Sequence, residues 1–172
     1  MTHSLAVTVL GHDRPGIIAD VTGVLAGLGG NLEDSSMTLL RGHFAWTLVV
    51  AVAADASVVS DRLAHLTAAG LVVSVLPMPD DDATALEGSA WLLSVHGADR
   101  PGIVSGLTRV VAEVGGTITD LTTRLGTGIY LLVAEVALPR DTDVEALSAR
   151  IAAAAEGLGV RATLTPAESD VL

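Results

Sequence analysis

Gly11-His12-Asp13-Arg14-Pro15-Gly16-Ile17 returns 86 residues later as Gly97-Ala98-Asp99-Arg100-Pro101-Gly102-Ile103, and this duplicated stretch decides the fold. Outward from it, Gly29-Gly30 returns as Gly115-Gly116, Asp34 as Asp120 and Gly42 as Gly128. The apolar positions Ile17, Ile18, Val21, Val24, Leu25 and Leu28 map at the same offset onto Ile103, Val104, Leu107, Val110, Val111 and Val114. Two copies of one supersecondary unit follow; a solenoid would need more.

Each copy reads in the same order. Leu5–Leu10 is an apolar, β-branched run closed by Gly11, the pattern of a strand. Pro15 suits the first position of a helix, where its missing N–H would be unpaired anyway. Arg14, preceding a proline, is pushed out of the helical region, as a cap residue should be. The apolar positions then recur every three or four residues, giving one buried stripe that Gly29-Gly30 ends. Residues 31–41 and 43–54 read as two strands meeting in a short hairpin at Arg41-Gly42-His43. Along the second of them, Phe44, Trp46, Leu48, Val50 and Val52 alternate on one face. Residues 56–69 form a helix with Val59, Leu63 and Leu66 inward, and Leu71–Leu76 is a last strand. The second copy predicts a strand near 90–97, a helix over 101–115, strands near 117–126 and 128–138, a helix over 142–157 and a strand over 159–165.

The order βαββαβ is the ferredoxin-like unit. The expected class is α+β: two such domains in tandem, each an antiparallel sheet with its helices on one face. The boundaries are 1–78 and 89–166, with a linker at 79–88 and a tail at 167–172. Prolines 77 and 79 and the acidic run Asp80-Asp81-Asp82 favour an extended, solvated linker. Ala45, Val49 and Ala51 make the opposite strand face apolar as well. That face needs a cover, from the other copy or from a second chain.

Bulk composition narrows the function. Half of the 172 residues are hydrophobic, enough for a packed core. The chain has no cysteine, which removes disulfides, thiolate metal sites and a cysteine nucleophile. Its net charge is −11 and all nine basic residues are scattered Arg, three against nine acidic residues in 1–86 and six against eleven in 87–172. Phosphate neutralisation needs clustered positive charge, so direct nucleic-acid binding is not expected. The first residues, Met1-Thr2-His3-Ser4, lack the basic start of a secretory signal, and no apolar run approaches a spanning helix; a cytoplasmic location is expected.

The Asp-Arg-Pro-Gly turns are the functional candidates. A helix N-terminus with free N–H groups attracts a carboxylate, and Asp13 or Asp99 beside it can accept an ammonium. A zwitterionic amino acid offers both charges within a few ångströms. Asn31, at the start of the following strand, can add an amide. The plain structural reading stays open beside this: Asp caps the helix, Pro starts it, Gly permits close packing.

The strand–Asp-Arg-Pro-Gly-Ile–helix–Gly-Gly-Asn-Leu–strand pattern resembles the ACT domain, over residues 3–78 and 89–166. The tandem arrangement, the stretch Asn31-Leu32-Glu33-Asp34-Ser35-Ser36-Met37 and the glycine-centred hairpin before Phe44 resemble the glycine cleavage system transcriptional repressor group within that family. The resemblance implies a regulatory protein that binds amino acids at interfaces between domains. It places ligand contacts at Gly11, His12, Asp13 and Asn31 in the first copy and at Gly97, Ala98, Asp99 and Thr117 in the second, with Gly16 and Gly102 at the helix starts. The copies differ, for Ala98 replaces His12 and Thr117 offers one hydroxyl where Asn31 has a full amide.

Other constellations are poor. His3, His12, His43, His65 and His96 show no metal-ligand spacing, so no metal and no cofactor are expected. Trp46 and Trp91 belong to strands. Gly27-Leu28-Gly29-Gly30 follows a helix, whereas phosphate-binding glycines follow a strand. No acid, base and nucleophile set marks an enzyme. The expected function is a sensor of a small amino acid, of the glycine or serine class. It would act on transcription or metabolism through a partner protein, as a homodimer. The alternative is a ligand-free interaction scaffold with the same fold.

Overall fold

The computed structural model describes residues 2–79 and 88–167. The chain divides into two units, Met1–Asp82 and Ala83–Leu172. The first contains β1 (His3–His12), α1 (Ile17–Gly27), β2 (Asn31–Leu40), β3 (His43–Val52), α2 (Ala56–Ala68) and β4 (Val72–Pro77). The second contains β5 (Gly88–Gly97), α3 (Ile103–Ala112), β6 (Thr117–Leu125), β7 (Tyr130–Pro139), α4 (Val144–Gly157) and β8 (Val160–Pro166). The sheets are fully antiparallel, ordered β2-β3-β1-β4 and β6-β7-β5-β8. This is the ferredoxin-like α+β arrangement predicted for each copy. Of the segment read as a linker, residues 80–87 lie outside the described residues, as does the tail beyond Ala167.

Period-two alternation builds each core. In β3 every second residue, from Phe44 to Val52, is buried, and β1 contributes Leu5, Val7 and Val9 to the same face. The helices meet that face with residues one turn apart: Ile17, Val21 and Leu25 from α1, and Val59, Leu63 and Leu66 from α2. Each such aliphatic side chain contributes about 1.5–3 kcal/mol when fully buried, so aliphatic burial can stand in for the scarce aromatics. Phe44 and Trp46 make one edge-on contact, with ring centroids 6.3 Å apart. The second core repeats the scheme around Leu93, Val95, Ile103, Leu107, Val111 and the buried side of β7.

Helices α1 and α3 start later than the sequence predicts. Pro15 is not the first helical residue and Arg14 does not cap; α1 begins at Ile17 behind Gly16, whose φ of 92° lies in the left-handed region. A residue there cannot continue a right-handed helix, so the helix begins only after it. Gly102 does the same with φ 93°, and the helix expected over 101–115 spans Ile103–Ala112. The end of α1 follows expectation. Gly30 N–H bonds to Leu25 O at 2.9 Å and Gly29 N–H to Ala26 O at 2.9 Å, with Gly29 at φ 71°. This is the paired C-terminal motif that glycine makes cheap.

The opposite face of the first sheet carries Ala6, Thr8 and Leu10, then Ala45, Thr47, Val49 and Ala51, then Val72, Ser74 and Leu76. Val72 is 63% and Leu76 60% exposed. Among the described residues no helix is long and apolar enough to cross a membrane.

Candidate functional site

The end of β1 and the start of α1 form the duplicated loop, and each of its residues has a traceable role. Gly11 is a packing residue. A Cβ there would stand 2.6 Å from Leu71 Cδ2, where the chain returns into β4. Gly97 is its equivalent, with Val160 Cα 2.9 Å from the position a Cβ would take. His12 is exposed and lies opposite His43 across the β1–β3 ladder, with ring centroids 4.6 Å apart. Asp13 is exposed, and its N–H donates to Gly42 O at 3.0 Å, tying the loop to the β2–β3 hairpin.

That hairpin turns on two residues, Arg41 (φ 50°) and Gly42 (φ 81°), between the paired Leu40 and His43. Positive φ at both central residues is the mirror-image turn whose twist matches the strands. In the second unit the corresponding loop is longer. Leu125 pairs with Tyr130, and Gly126 N–H bonds to Ile129 O at 2.9 Å.

No side chain caps α1 or α3. The first intrahelical bonds are Asp20 N–H to Gly16 O and Gly106 N–H to Gly102 O, both 2.8 Å. The amides ahead of them in each first turn are the donors an anion would use. By contrast, Asp143 caps α4, accepting from Ala146 N–H at 3.0 Å. The reading of Asp13 and Asp99 as helix caps is thereby corrected: glycine occupies both cap positions.

In the first unit a groove of about 480 Å³ opens beside this helix start. Asp13, Arg14 and Gly16 form its polar end; Ile17, Ile18, Ala19, Met37, Leu39 and Phe44 form the rest. Arg14 is held along the helix, donating to Asp20 Oδ2 at 3.0 Å and Pro15 O at 3.3 Å. The apolar wall was not among the predicted site residues. The signal for it is the hairpin register. Leu40 opposite His43 places Leu39 opposite Phe44 and Met37 opposite Trp46, all on the helix side of the sheet.

The second unit fills the equivalent space differently. Gly106 stands where the first unit has Asp20, so Arg100 has no carboxylate there. Its guanidinium lies over Gly159, where a Cβ would stand 2.7 Å from Nη1. Leu158 reaches the first turn of α3, 3.0 Å from the Cβ position of Gly106. Ala98 and Asp99 are exposed. A groove of about 890 Å³ in this unit runs instead along α4 and β8, and of the candidate residues it includes Gly97 alone.

Asn31 and Thr117 do not join the loops of their own units. Each is the first residue of its strand, opposite Ala51 and Ala137 respectively. The loop lies at the other end of the sheet, where Leu40 and His12 both pair with His43. Nine residue steps along β2 separate the two, roughly 25–30 Å at strand rise. One ligand cannot touch both within a unit.

Comparison with known proteins agrees with this architecture. The ACT domain family model matches residues 3–75 and 89–165. The glycine cleavage system transcriptional repressor of Escherichia coli is 26% identical over 132 residues, 71% of this chain and 65% of that protein. A UPF0237 protein of Methanopyrus kandleri is 51% identical over 53 residues, 30% of this chain and 59% of its own length. The chain thus spans roughly six tenths of each of these relatives. The crystal structure of an unknown protein from Galdieria sulphuraria superposes with a TM-score of 0.82 at 27% identity, covering 97% of this chain and 99% of that one. With both halves matched over most of their length, the chain belongs to the ACT domain family as a tandem pair.

Proposed function

We propose that the chain is a regulatory sensor of a small amino acid, without catalytic activity, that works in the cytoplasm as a homodimer. The observation that carries this is the groove of the first unit, where the uncapped start of α1 and the Asp13 carboxylate sit side by side. The helix amides take the ligand carboxylate and Asp13 takes its ammonium. Gly16 lines the groove, and Gly11 and His12 precede Asp13 in the same loop as further candidate contacts. Glycine and serine are the first ligands to try, in keeping with the relative that is named a glycine cleavage repressor.

The separation of Asn31 from the loop supports the dimer. A ligand that uses both needs the β2 start of a second copy. The exposed Leu10, Val72 and Leu76 supply apolar surface for such an association. With a net charge of −11, the protein reaches transcription through a partner protein rather than by touching DNA.

Calorimetric titration with glycine, serine and then the other common amino acids tests the reading. Saturable heat is expected, and Asp13→Ala should weaken it at least about tenfold by removing a charged hydrogen bond. Mixing Asp13→Ala with Asn31→Ala protein should restore one intact site in each mixed dimer and none in either parental dimer. No heat and no thermal shift across the whole panel would refute sensing, and a tight gel shift on DNA would refute the indirect route.

A second reading, a ligand-free interaction scaffold, is favoured for the second unit, where Leu158 and Arg100 pack the helix start. The pair of Asp99 and Thr117, with Ala98, Gly97 and Gly102, then has a structural role. Asp99→Ala should leave ligand heat unchanged.

A further inference from the structure

We infer that His12 and His43 form a two-imidazole chelate for a divalent ion of tetragonal preference, copper(II) or nickel(II). The two residues face each other across β1 and β3, so the ladder fixes their backbones in register. Their ring centroids lie 4.6 Å apart with the planes tilted by 36°. Two imidazoles that ligate one ion at about 2.0–2.1 Å set each centroid roughly 3.2 Å from the metal. The centroids are then roughly 4.5 Å apart for a right-angled pair of bonds and roughly 5.2 Å for a tetrahedral pair. The observed spacing is near the right-angled value, and a nitrogen site of this kind favours copper(II) among the divalent ions.

Both rings are exposed, and among the described residues neither makes a side-chain hydrogen bond or ion pair. Their nitrogens are therefore open to an incoming ion. Among the described residues no third His, Cys, Asp or Glu joins them in a metal-binding group. The remaining positions go to water or a small chelating molecule, as in an open site rather than a closed structural one. A net charge of −11 concentrates cations around the chain. The second unit is an internal control: its equivalent positions are Ala98 and Ile129, so it lacks both ligands. The chelate shares His12 with the proposed amino-acid site but uses neither Asp13 nor the helix start, so Asp13→Ala should leave metal binding unchanged and separates the two readings.

The test is calorimetric titration of the full chain with CuCl₂ and NiCl₂ in a non-coordinating buffer at neutral pH. A His3→Ala background removes the histidine near the chain start. One ion per chain is expected. Either His12→Ala or His43→Ala should weaken binding at least about tenfold, because the chelate becomes a single ligand. The double variant removes the remaining imidazole as well and should lose the site altogether, and acid that protonates the rings should abolish binding. His65→Ala and His96→Ala should change nothing. No binding, binding undiminished by either ring removal, or zinc held more tightly than copper and nickel would overturn the assignment. Circular dichroism of each variant separates loss of the site from loss of the fold.

Discussion

Arg41 is the one described residue other than glycine with positive φ, at 50°. A left-handed conformation costs an ordinary L-residue about 1–2 kcal/mol. Asn tolerates it, and Asn-Gly is the favoured pair for this turn. Arg41→Asn should therefore stabilise the first unit by about 1 kcal/mol. Arg41→Gly should gain less, because glycine loses about 0.5–1 kcal/mol more chain entropy on folding. Arg41→Val should lose stability, since a β-branched side chain is a true outlier at positive φ. The order is Asn, Gly, Arg, Val. For a unit of this size, 1 kcal/mol corresponds to roughly 4–8 °C in Tm. The units carry one tryptophan each, the buried Trp46 and the partly buried Trp91. Thermal melting followed by fluorescence in a Trp91→Phe background thus reports the first unit. An Asn variant that melts at or below the Arg parent would refute the reasoning, because it would mean that Arg41 gains something in the turn that outweighs its backbone strain.

Two further pairs of substitutions separate local causes. Gly23 lies exposed in α1 with nothing within 4 Å of a Cβ position, so Gly23→Ala should add about 0.5–1 kcal/mol. At Gly116 a Cβ would meet Val111 Cγ1 at 2.7 Å and Leu138 Cδ2 at 2.8 Å, so Gly116→Ala should cost about 1–3 kcal/mol. Chemical denaturation of both variants checks the opposite signs. Asp143→Ala removes a side-chain cap and should cost about 1 kcal/mol. Asp55 stands at the same place in α2 without a cap bond, so Asp55→Ala should cost clearly less in the same assay.

Much of this fold is legible in the sequence, because its signals are local. The alternation in Phe44–Val52 names the buried face, and the three- and four-residue spacing from Ile17 to Leu28 names the helix stripe. The Gly29-Gly30 pair marks the helix end. The helix start was misread, since Pro15 satisfies the rule for a first position while Gly16 behind it decides by its backbone angle. That angle is a property of the backbone and is not a composition signal. The candidate site was half legible. Asp13 and Gly16 lie on one groove, yet Met37, Leu39 and Phe44 reach it through strand pairing, which no window along the chain displays. Asn31 is close to Gly30 in sequence and to the loop only in the family pattern. The length of β2 carries it to the far end of the sheet.

The internal repeat makes the two units controls for each other. The offset is 86 from β1 through β3 and grows to 89 at the last strand, where Gly159 matches Gly70 and both end a helix at positive φ. Core positions keep their chemistry: Leu48 and Ala134, Val50 and Val136, Val21 and Leu107 are apolar and buried in both units. Four differences fall on the candidate site or beside it. His12 becomes Ala98, Asp20 becomes Gly106, Asn31 becomes Thr117, and a two-residue turn becomes a longer loop. The first two exchanges remove an imidazole and a carboxylate from the second unit, Thr117 keeps one hydroxyl, and the second core still forms. The same scaffold forms in the second unit without His12 and Asp20, so the fold itself does not require them. That asymmetry directs ligand and metal titrations to the first unit and makes the second the matched blank for both.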